Sequence, residues 1–534
     1  MKKNASEDST NLRYPLINFS YDEKDKWYLE DAVRGVQIFG GIGSGKSSGS
    51  GKTIAYSFLE SGYGGIVLTG KVDETYAWLK YAQEINRLND IVIFSESPEK
   101  YYKDSRYSSG LKHLKNKVFY FNPLNYELAR EGEGAGDTDN IVSLFMSIVK
   151  MGNRVGGSGT DMGNDPFWPM AMQRCIKSAI DLLKLAKAVY QKYDKKDVGD
   201  FELTIPNIAR IIREAPSGKG NFERFEQLTS SNNATDLNSL QKWINESYVI
   251  YCLSWASGID QSNIRDKSAY EVAKSYFLAD FAVLAEKTRS AITEYFYAFA
   301  SPFRSGLLAE FFSGVSSEEI KPEETFKGRI IILDFPVKKY LQVGIYAQAI
   351  YKKLWQQAVE RRDIKPNDES LPVFMWIDEA QYFLNEDDMM FQTTARASKA
   401  CTVLISQNIS NYYAAIGGSN PQDQVNSLLG NLSTKIFHAN NDYVTNEWAA
   451  NTIGRTFQNM TSVGSGENAN VNISKALNYQ VEPETFTRLR NGGEANDFQV
   501  DAIITVASKE WSNELNYYRT FFYQKRESVF QNKK

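Results

Sequence analysis

Residues 36–53, VQIFGGIGSGKSSGSGKT, constrain the chain more than any other stretch. Apolar Val36, Ile38 and Phe39 lead into Gly40-Gly41-Ile42-Gly43-Ser44-Gly45-Lys46-Ser47, which fits G-x-x-x-x-G-K-[ST] without a mismatch. Ala55 to Leu59 then offers a helix. Strand, glycine loop and helix in that order are the setting in which this pattern cradles phosphate. Glycines let backbone N–H groups turn inward without Cβ clashes. Those N–H groups and the positive helix start form a nest for phosphate oxygens. Gly40, Gly41, Gly43, Ser44, Gly45, Lys46, Ser47 and Ser48 are therefore the expected lining of an ATP site. Lys46 would reach the β- and γ-phosphates, and the Ser47 hydroxyl would help hold Mg²⁺. A flexible turn is also glycine-rich, but the flanking strand and helix favour the cradle. A second GSGKT at 49–53 falls short of a full match, because Lys46 stands where glycine is needed. Lys52 and Thr53 are read as part of the following helix.

The bulk numbers exclude several classes. A chain of 534 residues is too long for one hydrophobic core, so two or more domains are expected. A net charge of −4 argues against a globally basic nucleic-acid binder, though not against a local basic channel. Cys175, Cys252 and Cys401 are far apart and odd in number, which suggests a reducing compartment and no metal site. His113 and His438 are the only histidines, too few for His-based zinc or triad chemistry. No apolar run approaches the roughly 18 residues needed to cross a bilayer. The first 35 residues are polar and carry both acids and bases, so no signal peptide is expected. The expected location is cytoplasmic, with any membrane contact made through a partner at the inner face.

The rest of the chain alternates strands with helices, which means a mostly parallel sheet with covered faces. Apolar runs of strand length fall at 64–69, 91–94, 118–121, 329–335, 373–377, 402–405, 435–437 and 502–506. Helices are expected at 73–88, 167–185, 206–214 and 343–361. Between 195 and 290 the strand signal largely disappears, and this segment reads as an inserted all-α domain. Its aromatics (Trp243, Tyr248, Trp255, Tyr276, Phe277) have base stacking as one reading and core packing as the better one. The expected division is a polar arm at 1–30, a nucleotide-binding domain in two parts at 31–194 and 291–525 around the insertion, and a tail at 526–534. Gly-rich loops are expected at 132–139 and 153–164, and a mobile loop or long hairpin at 458–474.

Val373-Phe374-Met375-Trp376-Ile377-Asp378-Glu379 is a buried strand ending in two acids. Placed beside the glycine loop, that strand would bring both carboxylates to the ligand-binding edge of an open α/β sheet. Asp378 would hold Mg²⁺ through its water shell, and Glu379 would activate the water that attacks the γ-phosphate. The competing reading is a strand that ends in solvated acids. Gln407 ends the next strand and is a candidate γ-phosphate sensor or an ordinary polar strand end. Arg396 is a candidate finger into a neighbouring subunit's site, or a solvated helix arginine.

Several stretches together resemble the TraG/TraD-type conjugative coupling ATPases of type IV secretion systems. They are FMWIDEAQYF, TTARASKACTVLISQNISNYY and LLGNLSTKIFHANNDYVTNEWAANTIGR, with GGIGSGKSSGSGKT, GGIVLTGKVDE, DPFWPMAMQRCIKSAIDLL and VEPETFTRLRNGG. The resemblance covers most of the chain from about 35 to 510. It implies a RecA-like P-loop fold with an inserted all-α domain, assembled as a homo-hexameric ring. It also implies an ATP-driven motor that recruits and moves DNA, single-stranded as a nucleoprotein, together with relaxase-type substrate proteins. A nucleotide-gated platform for protein substrates is the alternative. By match, Lys46, Ser47, Asp378, Glu379, Gln407 and Arg396 take the roles given above. Typical members carry N-terminal transmembrane helices, and the chain departs from them by having no such apolar run.

Overall fold

The computed structural model describes residues 7–20, 22–155, 167–193, 199–365, 369–416, 420–463 and 471–525. Most of the expected loop at 153–164, and the tail at 526–534, lie outside them. The chain divides into two compact units. One comprises residues 1–117, 321–348 and 355–534, and the other comprises 118–320 and 349–354.

The first unit is α/β. Its strands are β1 (Pro15–Asn18), β2 (Lys26–Tyr28), β3 (Val36–Phe39), β4 (Gly64–Leu68), β5 (Ile91–Ser95), β6 (Ile330–Asp334) and β7 (Val373–Ile377). They continue with β8 (Ala400–Ser406), β9 (Thr434–Phe437), β10 (Arg455–Val463), β11 (Val471–Tyr479), β12 (Gln499–Val506) and β13 (Tyr517–Tyr523). Nine of them form one sheet in the order β13-β12-β9-β3-β8-β7-β4-β6-β5. From β9 to β5 every neighbouring pair is parallel. β12 and β13 extend the sheet antiparallel beyond β9. The strands from β3 to β9 are buried along their whole length, as expected where helices cover both faces of a parallel sheet.

The last residues of β6 show how a strand end is fixed. The buried Asp334 carboxylate accepts from Thr75 Oγ1 at 2.9 Å, Tyr101 Oη at 2.8 Å and Ser95 Oγ at 2.6 Å, and pairs with Lys100 Nζ at 3.0 Å. A buried carboxylate is tolerated only with partners of this kind.

Three features depart from the sequence reading. Residues 118–121 are not a strand, and the Phe121 N–H donates to the Phe311 carbonyl at 2.8 Å inside the second unit. An apolar run of four cannot tell strand from a packed connector. The described residues of the expected polar arm at 1–30 are tied into the first unit. β1 pairs with β2, Trp27 is buried and donates to Thr434 Oγ1 at 3.1 Å, and Ser57 Oγ donates to the Leu16 carbonyl at 2.8 Å. The strand at 373–377 is not adjacent to β3, because β8 lies between them. Of the two readings at 458–474 the described residues show the hairpin, β10 against β11 over nine register pairs, and residues 464–470 lie outside them.

The second unit is helical. Its helices include Thr138–Val155, Phe167–Tyr193, Ile205–Glu214, Asn221–Ser230, Ala234–Glu246, Tyr248–Ala256, Ile264–Ser275 and Glu286–Ala300. The unit is broader than 195–290: the helix at 167–193, with its buried Cys175, Ile176, Ile180 and Leu183, belongs to it and contacts its other helices. Trp243, Tyr248 and Phe277 are buried, and Phe201 stacks on Tyr251 with 5.1 Å between ring centroids. The aromatics of this region build a core.

Candidate active site

The C-terminal ends of β3, β7, β8 and β4 meet at one edge of the sheet. Phe39 is in register with Ser406, Ile377 with Leu404, and Leu68 with Ile377. Everything that follows those residues in sequence is therefore delivered to the same place.

The loop after β3 is tied down at its base and open at its top. Gly40 N–H donates to the Ser406 carbonyl at 3.3 Å and Gly41 N–H to the Ala439 carbonyl at 2.8 Å. Among the described residues, no carbonyl accepts from the N–H groups of Gly43, Gly45, Lys46 or Ser47. Gly45 sits at φ 81, where an L side chain is strained, and an added Cβ would lie 2.5 Å from Val500 Cγ2. Ser44 Oγ is buried and without a partner. Residues Ser47–Gly51 form one wide π-type turn before the helix Lys52–Glu60. Lys52 Nζ donates to the Gln524 carbonyl at 2.9 Å and Thr53 Oγ1 to the Gly49 carbonyl at 3.0 Å, so the second GSGKT is engaged in the helix start. Ser48 Oγ accepts from Gln524 Nε2 at 2.8 Å, on the side of β13.

The acid pair reaches this loop although β8 intervenes. Ser47 Oγ donates to Asp378 Oδ2 at 2.8 Å. Lys46 is buried, and burial pushes its ammonium pKa down, with the charges of Asp378 and Glu379 opposing. Glu379 is also buried, at left-handed φ 55 and ψ 49. Burial works to raise its carboxyl, but hydrogen bonds from Lys71 and Gln381 outweigh it and hold the pKa below the usual range. Lys71, which the sequence reading left unassigned, lies 2.7 Å from Glu379 Oε1 and 3.7 Å from Asp378 Oδ2. Burial of Lys71 favours the neutral amine, yet Asp378 and Glu379 override it and push the pKa up. Glu74, half-buried, is driven above the carboxylate range by burial and then by Asp378.

His438, at the end of β9, props the loop from below. Its Nε2 is 2.7 Å from Ser50 Oγ and its Nδ1 is 2.8 Å from the Asp501 carbonyl. A carbonyl only accepts, so Nδ1 carries the proton and Nε2 accepts from Ser50. Burial first, then the nearby Lys46 charge, pushes this imidazole down to about 4. Lys71 and His438 share a signal that the sequence does carry: each follows the C-terminal end of a strand, the edge where open sheets bind ligands.

Gln407 stands at the same edge, half-buried, with its carbonyl accepting from Asn440 Nδ2 at 2.9 Å. Arg396 does not join the group. It precedes β8, at the opposite end of that strand from Ser406, and is exposed. Within one chain the fold thus assembles Lys46, Ser47, Asp378 and Glu379 and leaves Arg396 on another face.

Chemically, unpaired N–H groups, an ammonium, a hydroxyl and two carboxylates at one edge are the donor set for a polyphosphate with its divalent cation. Among the described residues, no cluster of three or more His, Cys, Asp or Glu side chains forms a cage for a metal by itself. Mg²⁺ fits such a place, since it is held by one or two protein ligands plus phosphate and water. The Ser47–Asp378 pair supplies ligands of that kind.

Residues 372–488 match the family described as the TraM recognition site of TraD and TraG. The match begins just before β7 and runs through β8, β9 and the β10–β11 hairpin. No curated protein matches the chain in sequence. Among solved structures, the chain is similar to the bacterial conjugative coupling protein TrwBdeltaN70 in its unbound monoclinic form. The identity is 10%, the TM-score 0.52, and the likeness covers 94% of this chain and 88% of that one. A trigonal form of the same protein, in complex with sulphate, is 11% identical with a TM-score of 0.50, over 98% and 93% of the two chains. No helix among the described residues is long and apolar enough to cross a membrane. Residues 372–488 are thus similar in sequence to the TraM recognition site of TraD and TraG, and the chain shares the fold of TrwBdeltaN70 over nearly its whole length.

Proposed function

We propose that the chain is an ATP-hydrolysing motor of the conjugative coupling type, which recruits and moves DNA, single-stranded as a nucleoprotein. The observation that carries this reading is the 2.8 Å bond between Ser47 Oγ and Asp378 Oδ2, with Lys46 and Glu379 at the same edge. Gly40, Gly41, Gly43, Ser44, Gly45 and Ser48 shape the cradle, and their neighbours' N–H groups take the phosphate oxygens. Lys46 pairs with the β- and γ-phosphates. Ser47 and Asp378 hold Mg²⁺, which when bound neutralises charge on the phosphate oxygens. Glu379 accepts a proton from the attacking water, and Gln407 senses the γ-phosphate from the end of β8. Arg396, remote from its own chain's site, serves a neighbour's site in a homo-hexameric ring.

The test is the ATPase rate with and without single- and double-stranded DNA, alongside mass in solution. Stimulated hydrolysis in the wild type that is lost in Lys46→Ala and Glu379→Gln supports the reading. Hydrolysis that persists unchanged in Glu379→Gln would sink it.

The family description over residues 372–488 favours a second reading: a nucleotide-gated platform that recruits relaxase-type or other substrate proteins and turns over little. Membrane contact would then come through a partner, with the chain at the inner face. A substrate-protein pulldown, set against DNA binding at two salt concentrations, separates the two, because phosphate contacts weaken steeply with salt.

A further inference from the structure

Lys71 lies three residues beyond β4, the strand next to β7, so its position relative to the acid pair is fixed by sheet register. The loop that carries it is pinned. Gln348 Oε1 accepts from the Thr69 N–H at 2.6 Å, and Gln348 Nε2 donates to the Thr69 carbonyl at 3.0 Å. Gly70 N–H donates to Glu74 Oε2 at 2.7 Å. Gly70 also lies against Glu379, where an added Cβ would come within 3.2 Å of the Glu379 Cβ.

The Glu379 carboxylate is held at both oxygens. Oε1 faces Lys71 Nζ at 2.7 Å. Oε2 accepts from Gln381 Nε2 at 2.8 Å, and Gln381 Oε1 accepts from Ser406 Oγ at 2.9 Å. The two restraints come from opposite sides, β4 and β8. Each carboxylate oxygen keeps a further lone pair, so the group can still accept from water. The backbone of Glu379 is left-handed, a conformation that a non-glycine residue keeps only when its surroundings over-determine it. The Glu379 N–H donates to Asp378 Oδ1 at 2.9 Å, which completes that restraint.

We infer that Lys71 is a positioning residue for hydrolysis, acting through the Glu379 carboxylate and not on the nucleotide. The inference rests on the reading of Glu379 as the group that receives the water proton. A residue that only orients another changes turnover and leaves ground-state binding alone.

The experiment compares steady-state ATP hydrolysis and binding of a fluorescent ATP analogue in Lys71→Met, Lys71→Arg, Glu379→Gln and the double variant Lys71→Met/Glu379→Gln. Lys71→Met is expected to lower kcat by roughly 10- to 100-fold with KM and analogue affinity within about threefold of wild type. Lys71→Arg is expected to restore most of the loss. In single-turnover measurements Lys71→Met is expected to add no further loss on the Glu379→Gln background, because the two act as one unit. Lys71→Gln reads the same split should Lys71→Met fail to fold. A full, additive loss in the double variant overturns the inference, as does a raised KM with kcat unchanged. If Glu379→Gln is inactive while Lys71→Met hydrolyses at the wild-type rate, only the role of Lys71 falls. If Glu379→Gln hydrolyses normally, the assignment of Glu379 falls with it.

Discussion

Ser47 and Asp378 are 331 residues apart in sequence and joined by a 2.8 Å hydrogen bond. The bond crosses over β8, the strand that separates their own two strands. On the proposed reading, this hydroxyl and carboxylate would hold one Mg²⁺ between them. Ser47→Ala is therefore expected to remove most of the Mg²⁺-dependent tightening of ATP-analogue binding, on the order of tenfold, while binding without Mg²⁺ changes little. Titrating the analogue with and without Mg²⁺ measures both.

Gly45 combines a left-handed backbone with close approach to Val500. Gly45→Ala meets Val500 and adopts φ 81 at a cost of about 1–2 kcal/mol. The expected result is nucleotide affinity reduced tenfold or more with the α/β unit still folded by circular dichroism. Adding Val500→Ala removes the contact but not the dihedral strain, so affinity returns only in part.

The buried imidazole of His438 makes the α/β unit sensitive to acid. Its folded pKa, about 4, lies below the ordinary 6.5, so the unfolded chain binds the extra proton between those values. Stability from this group is present above about 6.5, is lost as pH falls toward 4, and changes no further below. The total is on the order of 3 kcal/mol. His438→Gln lacks this dependence, so its stability gap to wild type in urea is expected to narrow from pH 7.5 to pH 4.5.

Asp334 satisfies four donors at the end of β6. Asp334→Ala strands the buried Tyr101 hydroxyl and removes the Lys100 partner. The expected cost is about 3 kcal/mol, read as a lower urea midpoint for the α/β unit. Nucleotide affinity measured below that midpoint should stay near wild type.

How much of this is legible in the chain depends on how local each cause is. Lys46 and Ser47 are fixed by glycines within a few residues, and Asp378 and Glu379 end an apolar run long enough to identify a buried strand. Those groups are readable one segment at a time. Lys71 and His438 matter because sheet order places β4 beside β7 and β9 beside β3, and neither adjacency leaves a mark in the neighbouring sequence. The run at 118–121 misleads for the converse reason: Tyr120 stacks on Phe311 and Phe121 packs against Tyr126 and Tyr351, partners that only the tertiary fold supplies. The seven residues of β13 were missed because an edge strand exposed on one side lacks the continuous apolar run of a buried one.

Val500, near the start of β12, presses on both Gly45 and Gly49, and Gln524, just past β13, donates to Ser48. Val500 and Gln524 thus back the glycine loop from the β12–β13 side. A load that tugs the β12–β13 ribbon should loosen the grip on nucleotide, and a tightly gripped nucleotide should stiffen the ribbon in return. Between the β12–β13 ribbon and the glycine loop there is only a single layer of side chains.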